Sequence, residues 1–363
     1  MTLIDRLLDL AVAIQQVPAP TDHEGRRAGF VRSRFEADGL ADVALDAVGN
    51  VLARLPGSGQ ERPLVFTAHL DTVFPSGTDL EVLRQPGRIS GPGIGDNSVG
   101  VAGLSALAWL LRERRIQLPG DVWLVANVGE EGLGNLRGMK AVVERFGERP
   151  KAYVVLEGLA LGQVYHRALG VRRYLIRIQT SGGHSWIDYG RPSAVHELTA
   201  LASRITALKV PSAPRTSLNV GKIAGGTSVN TIAAEAELEL DLRSERGEML
   251  AAVAAQVEQL ANAARRDGVE VEVRIIGERP SGELPAEHPL VTLAQACLQE
   301  QGLPSNLNIG STDANQPLSL GLPAVTVGMT SGGGAHTVHE YINTEPLDKG
   351  MEQLVSLAGR MWA

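Results

Sequence analysis

The sequence is poor in cysteine, aromatic residues and excess positive charge, and each shortage excludes a class of protein. Its single cysteine, Cys297, has no partner within the chain, which excludes an internal disulfide framework and a cysteine-based zinc site. Lys and Arg number 34 against 41 Asp and Glu, so a net charge of -7 argues against binding nucleic acid through its phosphates. Only 4% of residues are aromatic. We therefore expect a small polar ligand rather than a bulky aromatic one.

Long apolar runs are also missing. The longest stretch without a charge, residues 314–335, contains Pro317, Pro323 and several glycines, so no membrane-spanning segment is predicted. The first ten residues mix charged and apolar side chains, as an amphipathic helix does and a secretion signal does not, and the default expectation is a cytoplasmic protein. Cys297 lies in an apolar, helix-like run, so its thiol is expected to be buried.

Glycine is abundant instead. The chain has 41 glycines in 363 residues, whereas about 7% is usual, which indicates segments that need a permissive or closely approached backbone. The length predicts two domains. Apolar strands alternate with helix-like segments over residues 64–161 and again after residue 282, a pattern typical of an α/β protein with a mostly parallel sheet.

The pattern differs over residues 169–281. Apolar and charged residues alternate over residues 172–180, 234–243 and 269–276, which is typical of antiparallel strands with one solvent-exposed face. Helical patterns lie between these segments. This β-α-β-β-α-β order predicts a small α+β domain inserted into the first. We expect a first domain of residues 1–168 and 282–363 and an inserted domain of residues 169–281.

Several acidic and histidine side chains follow the predicted parallel strands. His69 directly follows strand 64–68, and Asp71, two residues on, is expected to accept the second ring N–H of His69. The adjacent carboxylates of Glu130 and Glu131 follow strand 122–128, and Glu157 follows strand 152–156. Two neighbouring anions repel each other unless a cation lies near them.

Two glycine-rich loops accompany these strand ends. The first, residues 91–95, delivers Asp96 to the start of a helix; it lacks the spacing of a nucleotide-binding loop, so we favour close backbone approach to an ion over phosphate binding. The second, residues 331–335, leads to His336, with His339 as an alternative ligand three residues later. Together the residues predict a site for one or two ions of zinc, cobalt or manganese. A nucleophile-elbow motif is absent from the sequence.

In this order, the motifs resemble the M20 family of metallopeptidases and amidohydrolases over essentially the whole chain. They are His69-x-Asp71, Gly95-Asp96, Gly129-Glu130-Glu131-Gly132, Glu157 and His336-x-x-x-Glu340. The resemblance implies an α/β, phosphorylase/hydrolase-like zinc-peptidase domain with a mixed sheet, plus an inserted α+β, ferredoxin-like lid and dimerisation domain. It also implies a cis peptide bond between Asp96 and Asn97.

The resemblance further implies the role of each site residue. Asp96 would bridge two zinc ions, with His69 and Glu157 on one and Glu131 and His336 on the other. Glu130 would be the general base for the bridging water, and Asp71 would orient His69. In the inserted domain, the resemblance implies that His184 helps to polarise the scissile carbonyl, either in its own subunit or across a homodimer. It also implies that Asn230 and Arg243 contact the substrate.

The resemblance leaves the substrate open. Asp313 and Asn315 recur in the tripeptidase T-like branch and are expected to line or brace the pocket, whereas Glu157 tends to accompany carboxypeptidases and deacylases. We expect a dinuclear zinc enzyme, with cobalt or manganese as alternatives, that cleaves an amide in a small peptide. An N-acyl-amino-acid deacylase and a non-catalytic binder of peptides or amino acids are the alternatives.

Overall fold

The structure, a computed structural model, describes residues 2–362. The chain divides into two compact units, which are described separately. The large unit runs up to Ala168 and resumes at Glu283, and the small unit comprises Leu169–Gly282.

The helices and strands are numbered in chain order. The helices are α1 (Leu3–Gln15), α2 (Gly25–Ala37), α3 (Val99–Glu113), α4 (Arg137–Phe146), α5 (Ala194–Thr206), α6 (Gly247–Ala264), α7 (Pro289–Glu300), α8 (Asn315–Ser319) and α9 (Leu347–Arg360). The strands are β1 (Ala41–Leu45), β2 (Val51–Leu55), β3 (Leu64–His69), β4 (Leu83–Gln85), β5 (Arg88–Ser90), β6 (Val122–Asn127), β7 (Ala152–Glu157), β8 (Gln163–Ala168), β9 (Gly170–Gln179), β10 (Gly183–His184), β11 (Thr216–Gly225), β12 (Thr231–Ile232), β13 (Glu235–Ser244), β14 (Glu270–Arg279), β15 (Gly282–Glu283), β16 (Asn306–Gly310), β17 (Ala324–Gly328), β18 (Gly332–Gly333) and β19 (Tyr341–Asn343).

A mixed sheet forms the centre of the large unit. Its strands follow the order β1-β2-β6-β3-β7-β17-β8, and β16 pairs with β8. The central strands β6, β3, β7 and β17 are mutually parallel, whereas β1, β2 and β8 join in antiparallel pairs. The parallel strands are buried along nearly their whole length, which explains their continuous apolar runs. The predicted α/β class with a mixed sheet is confirmed.

The direction of these strands positions the polar residues. Because β6, β3, β7 and β17 are parallel neighbours, their carboxyl ends meet at one edge of the sheet. At that edge β3 ends at His69 and β7 ends at Glu157, while β6 leads into Glu130 and Glu131. The loop after β17 leads towards His336. Residues far apart in sequence are thereby brought to one place.

The small unit has an antiparallel sheet of strand order β11-β13-β9-β14. Helices α5 and α6 pack on it through a separate core that includes Tyr174, Leu240 and Val257. The order of the main elements is β-α-β-β-α-β, as predicted. The alternation of apolar and charged residues does not locate β11, because the second half of this strand, which contains Gly221 and Gly225, is exposed and carries little apolar patterning.

One helical stretch among residues 2–362, Ile94–Glu113, is long and apolar enough to cross a membrane. However, 94% of its most apolar window is buried inside the protein, as in the core helix of a soluble protein. The stretch includes α3, which packs against α1 and β3.

The burial of Cys297 yields a test of the core. The side chain is 1% exposed in α7, and burial raises the pKa of its thiol to about 11. Because the thiolate is the reactive form, we expect no reaction with Ellman's reagent at pH 8 in native buffer and one reactive thiol per chain in guanidinium chloride. Rapid reaction of the native protein would contradict this packing.

Candidate metal centre

His69 and His336 approach the same carboxylate from two sides. Nε2 of His69 lies 3.1 Å from Oδ1 of Asp96 and 3.7 Å from Oε2 of Glu157. Nε2 of His336 lies 3.0 Å from Oδ2 of Asp96 and 3.1 Å from Oε1 of Glu131. Asp96 therefore presents one oxygen to each histidine. Each histidine has its own second carboxylate, which gives two adjoining groups of donors.

The alternative histidine is not part of this cluster. Both histidines are exposed, so exposure does not distinguish them; the backbone N–H of His339 is bonded to the hydroxyl of Thr337. His336 instead adopts a positive φ of 64°, an uncommon conformation outside glycine, and its imidazole reaches Asp96 and Glu131.

The charges in the cluster perturb one another strongly. Burial opposes a charge on His69, but its contacts with Asp96 and Glu157 outweigh burial and hold its pKa well above the usual value. Contacts with Asp96 and Glu131 raise the pKa of His336 to about 10. Burial raises the pKa of Glu157 to about 7, although His69 opposes this. Three carboxylates thus compete for the positive charge of two imidazoles, so additional positive charge between them is favourable.

The donors suit divalent metal ions. Ligand atoms of His69, Asp96 and Glu131 all lie within 4.8 Å of one another, and Glu157 and His336 extend the group on either side. Imidazole nitrogen and carboxylate oxygen together are typical ligands of zinc, cobalt and manganese. The residues therefore fit a metal site, and a carboxylate that faces two donor groups fits a bridging ligand.

Asp71 is arranged differently from the prediction. Nδ1 of His69 lies 3.0 Å from the backbone oxygen of Asp71 and 3.7 Å from its carboxylate, so the backbone carbonyl is the hydrogen-bond partner. The carboxylate instead accepts the backbone N–H groups of Glu130 at 3.0 Å and Glu131 at 2.8 Å, and the hydroxyl of Thr21. These donors occupy the carboxylate, so Asp71 orients His69 through its main chain and the Glu130–Glu131 turn through its side chain.

Asn97 fixes the other end of the site. A cis peptide bond joins Asp96 to Asn97, as expected. The fully buried Asn97 amide donates to the backbone oxygen of Leu156 at 2.7 Å and accepts the N–H of Gly158 at 3.0 Å. The Asn97 amide therefore binds the main chain on both sides of Glu157 and fixes the position of Glu157 relative to Asp96.

Arg27 is a site residue that no sequence pattern reveals. This guanidinium is 2% exposed and donates to the backbone oxygens of Gln15, Val17 and Leu70. Burial lowers its pKa to about 10, although the nearby Asp71 opposes this. Arg27 thereby anchors the main chain between His69 and Asp71. Arg27 lies in a helix that contains several other arginines, so its sequence context does not distinguish it from a surface residue.

Asp313 and Asn315 are fully buried. Asp313 accepts a hydrogen bond from the amide of Asn127 at 2.7 Å, and Asn315 accepts the backbone N–H of Thr312 at 2.9 Å. Because neither side chain has exposed surface in this conformation, their burial agrees with the bracing alternative and not with the lining one.

In the small unit, His184 and Asn230 lie next to each other. Strand β10 pairs with β12, and the N–H of Ser185 donates to the backbone oxygen of Asn230 at 3.1 Å. Both side chains are exposed. Nδ1 of His184 accepts the N–H of Trp186 at 3.2 Å. In the neutral ring the proton therefore lies on Nε2, which is free to act as a donor.

Arg243 lies elsewhere in the small unit. On β13 it pairs with Val171 of β9. It lies eight residues along β13 from Glu235, and His184 and Asn230 lie near the Glu235 end of that strand. That separation is roughly 26 Å at 3.3 Å per residue. Nε of Arg243 donates to Asp241 at 2.7 Å, and Arg173 donates to the other oxygen of Asp241 at 2.9 Å.

Comparison with known proteins identifies similar chains. The family model described as Peptidase family M20/M25/M40 matches residues 65–360. The uncharacterized protein YqjE of Bacillus subtilis is 24% identical, with 97% of each chain covered. The putative succinyl-diaminopimelate desuccinylase DapE of Mycobacterium tuberculosis is 25% identical, with 92% of this chain and 93% of that protein covered.

Solved structures have the same fold. Aminopeptidase PepT from Bacillus cereus superimposes with a TM-score of 0.81 at 23% identity and covers 99% of both chains. A tripeptidase from Staphylococcus aureus gives a TM-score of 0.83 at 22% identity, with 99% of this chain and 98% of that chain covered.

A glycine at the end of β7 allows a test of the cluster. A Cβ on residue 158 would overlap the carbonyl oxygen of Gly95 and press on Val99. We expect Gly158→Ala to displace the Asp96 loop and to weaken binding of Zn²⁺ or Co²⁺ at least tenfold, measured by titration of the metal-free protein.

Gly29→Ala is the matched control, because a Cβ there meets no atom within 4 Å. The control should bind metal as the wild type does. Equal metal affinity of Gly158→Ala and the wild type would show that the close approach of the two glycines does not hold the site.

Proposed function

We propose that this protein is a dinuclear metallohydrolase that cleaves an amide bond in a small peptide. The premise is that the chain belongs to peptidase family M20/M25/M40. The observation that carries this proposal is the position of Asp96, whose two oxygens face His69 and His336 separately. One carboxylate between two sets of donors suits two ions that share a ligand.

The five proposed ligands divide into two sets around Asp96. His69 and Glu157 would hold one ion, and Glu131 and His336 the other, with Asp96 common to both. When bound, the ions supply Lewis acidity, which lowers the pKa of water towards neutrality and polarises a carbonyl. Zinc is the preferred metal, and the same donors accept cobalt or manganese.

Glu130 is the proposed general base. Its side chain is 5% exposed, and its main chain is held by the same carboxylate of Asp71 that holds the ligand Glu131. A base next to a ligand, on one rigid turn, is suited to take a proton from the attacking water and to deliver it to the departing amine. A protein that only binds peptides needs no such group, which argues against the binding alternative.

The substrate is proposed from the small unit and from the relatives. The Nε2 donor of His184 and the amide of Asn230 suit an oxygen that gains charge, and the fork of Arg243 suits a carboxylate. A small peptide with a free carboxylate fits the similarity to PepT and the tripeptidase. An N-acyl amino acid is the second candidate, favoured by the similarity to the putative desuccinylase.

We further propose that the enzyme is a homodimer through its small unit. His184 and Arg243 lie near opposite ends of a ten-residue strand, so one small unit cannot place both on one small substrate, whereas two copies can. Trp186 and Tyr189, which follow His184, are 85% and 90% exposed. Such exposed aromatic side chains are typical of contact surfaces.

Replacing the base should separate catalysis from metal binding. We expect the wild type, loaded with Zn²⁺, Co²⁺ or Mn²⁺, to hydrolyse members of a panel of tripeptides and N-acyl amino acids. Glu130→Gln should bind about two ions per chain and lose roughly 10²- to 10⁴-fold in kcat. Metal content by mass spectrometry and release of free amine measure the two properties.

Glu36→Gln, on an exposed helical ion pair, is the control and should be fully active. Two bound ions without hydrolysis of any panel member would support the binding alternative. Failure to bind metal would refute the proposed metallohydrolase, and full activity of Glu130→Gln would refute the general-base role of that residue.

Mixing two inactive variants tests the dimer. If His184 acts across subunits, a 1:1 mixture of His184→Ala and Glu130→Gln chains, exchanged and reassembled, should recover about one quarter of wild-type activity, because half of the dimers contain one complete site. No recovery in dimers shown by light scattering to have exchanged would place His184 within its own subunit.

A further inference from the structure

Glu340 is a buried carboxylate to which the proposed mechanism gives no task. It is fully buried in the large unit, four residues after His336. A charged side chain at such a position is costly unless several hydrogen bonds compensate it, so its partners indicate what it does.

Its partners are the main chain of the loop that carries Asp96. Oε1 of Glu340 accepts the backbone N–H groups of Gly95 and Asp96, both at 2.7 Å, and Oε2 accepts that of Gly93 at 3.2 Å. The backbone oxygen of Glu340 accepts the N–H of Gly91 at 2.9 Å. Residues 91–96 are therefore folded around Glu340, with three N–H groups on its carboxylate and one on its backbone oxygen.

The glycines make this arrangement possible. Gly93 has a φ of 72°, and a Cβ there would lie 2.9 Å from the Thr72 side chain. With this turn, the N–H groups of Gly93, Gly95 and Asp96 converge on one carboxylate, as in the backbone nests that bind anions, while the N–H of Ile94 bonds to the backbone oxygen of Gly91. In this protein the anion is the carboxylate of Glu340. Because it occupies the N–H groups of Gly93 and Gly95, these groups are not available to bind a phosphate.

The contact joins two parts of the metal centre. The N–H of Asp96 is fixed by Glu340, and the carboxylate of Asp96 reaches His336, which belongs to the same segment as Glu340. A displacement of Glu340 would therefore move the bridging carboxylate relative to His336 and to the opposite ligand, His69.

We propose that Glu340 is a positioning residue that holds Asp96 in the orientation in which its two oxygens serve two ions. The inference rests on the proposed function only in that Asp96 binds metal. It assigns Glu340 an effect on metal affinity and on the geometry of the bound ions, and no contact with the substrate.

The isosteric variant Glu340→Gln tests this contact directly. An amide has one acceptor oxygen, so its NH₂ group must face either Gly93 or the N–H pair of Gly95 and Asp96, donor against donor. We expect at least tenfold weaker binding of Co²⁺ at one or both sites and a changed visible spectrum of the cobalt form. Excess Co²⁺ should restore part of kcat, which a general loss of folding would not permit.

Glu352→Gln is the matched control, because it removes the same charge from a surface pair with Arg114 and should leave affinity and spectrum unchanged. If Glu340→Gln does not fold, Gly93→Ala disturbs the same contact from the loop side and should weaken Co²⁺ binding likewise. Wild-type Co²⁺ affinity and spectrum in the folded variant would overturn the proposal. Metal binding by a wild type that cleaves no amide would overturn the proposed function and leave this inference standing.

Discussion

The orientation of a single carboxylate, that of Asp96, is the constraint on which the rest of the site depends. Its oxygens lie 3.1 Å from His69 and 3.0 Å from His336, and those histidines belong to segments at different ends of the sequence. The sheet supplies the coarse placement, because parallel strands end at one edge. The fine placement comes from side chains that bind the main chain: Asn97 on both sides of Glu157, Asp71 at the Glu130–Glu131 turn, and Glu340 at the Asp96 loop.

This arrangement concentrates negative charge in the interior. Asp96, Glu131 and Glu157 face one another across two imidazoles, and Asp71, Asp313 and Glu340 are buried in the layer behind them. Backbone N–H groups and the buried Arg27 offset part of the cost. Repulsion among the remaining carboxylates destabilises the cluster without a cation, so the same charges favour the binding of cations, in line with the proposed metal site.

The sequence was sufficient for the α/β class and for the location of the polar residues, because strands buried on both faces have distinctive apolar runs and their ends mark one edge of the sheet. It also predicted that His69, Asp96, Glu131, Glu157 and His336 would converge, mainly through the resemblance of their motifs.

The sequence could not predict that the carboxylate of Asp71 would turn away from His69, since that depends on which N–H groups compete for it. The roles of Arg27 and of the Asn97 side chain could not be predicted either, because they depend on main-chain carbonyl and N–H partners that no local pattern reveals. The burial of Asp313 and Asn315, likewise, is set by packing and not by their own segment.

The order of the proposed metal ligands along the chain has a consequence for biosynthesis. His69, Asp96, Glu131 and Glu157 all precede the small unit, whereas His336 follows it. A ribosome must therefore complete the small unit, helices α7 and α8 and strand β17 before His336 and Glu340 emerge. Until then, the donor group around His336 is incomplete and the Asp96 loop has no carboxylate to fold around. The nascent chain is thus kept without a finished hydrolytic centre while it is still being synthesised.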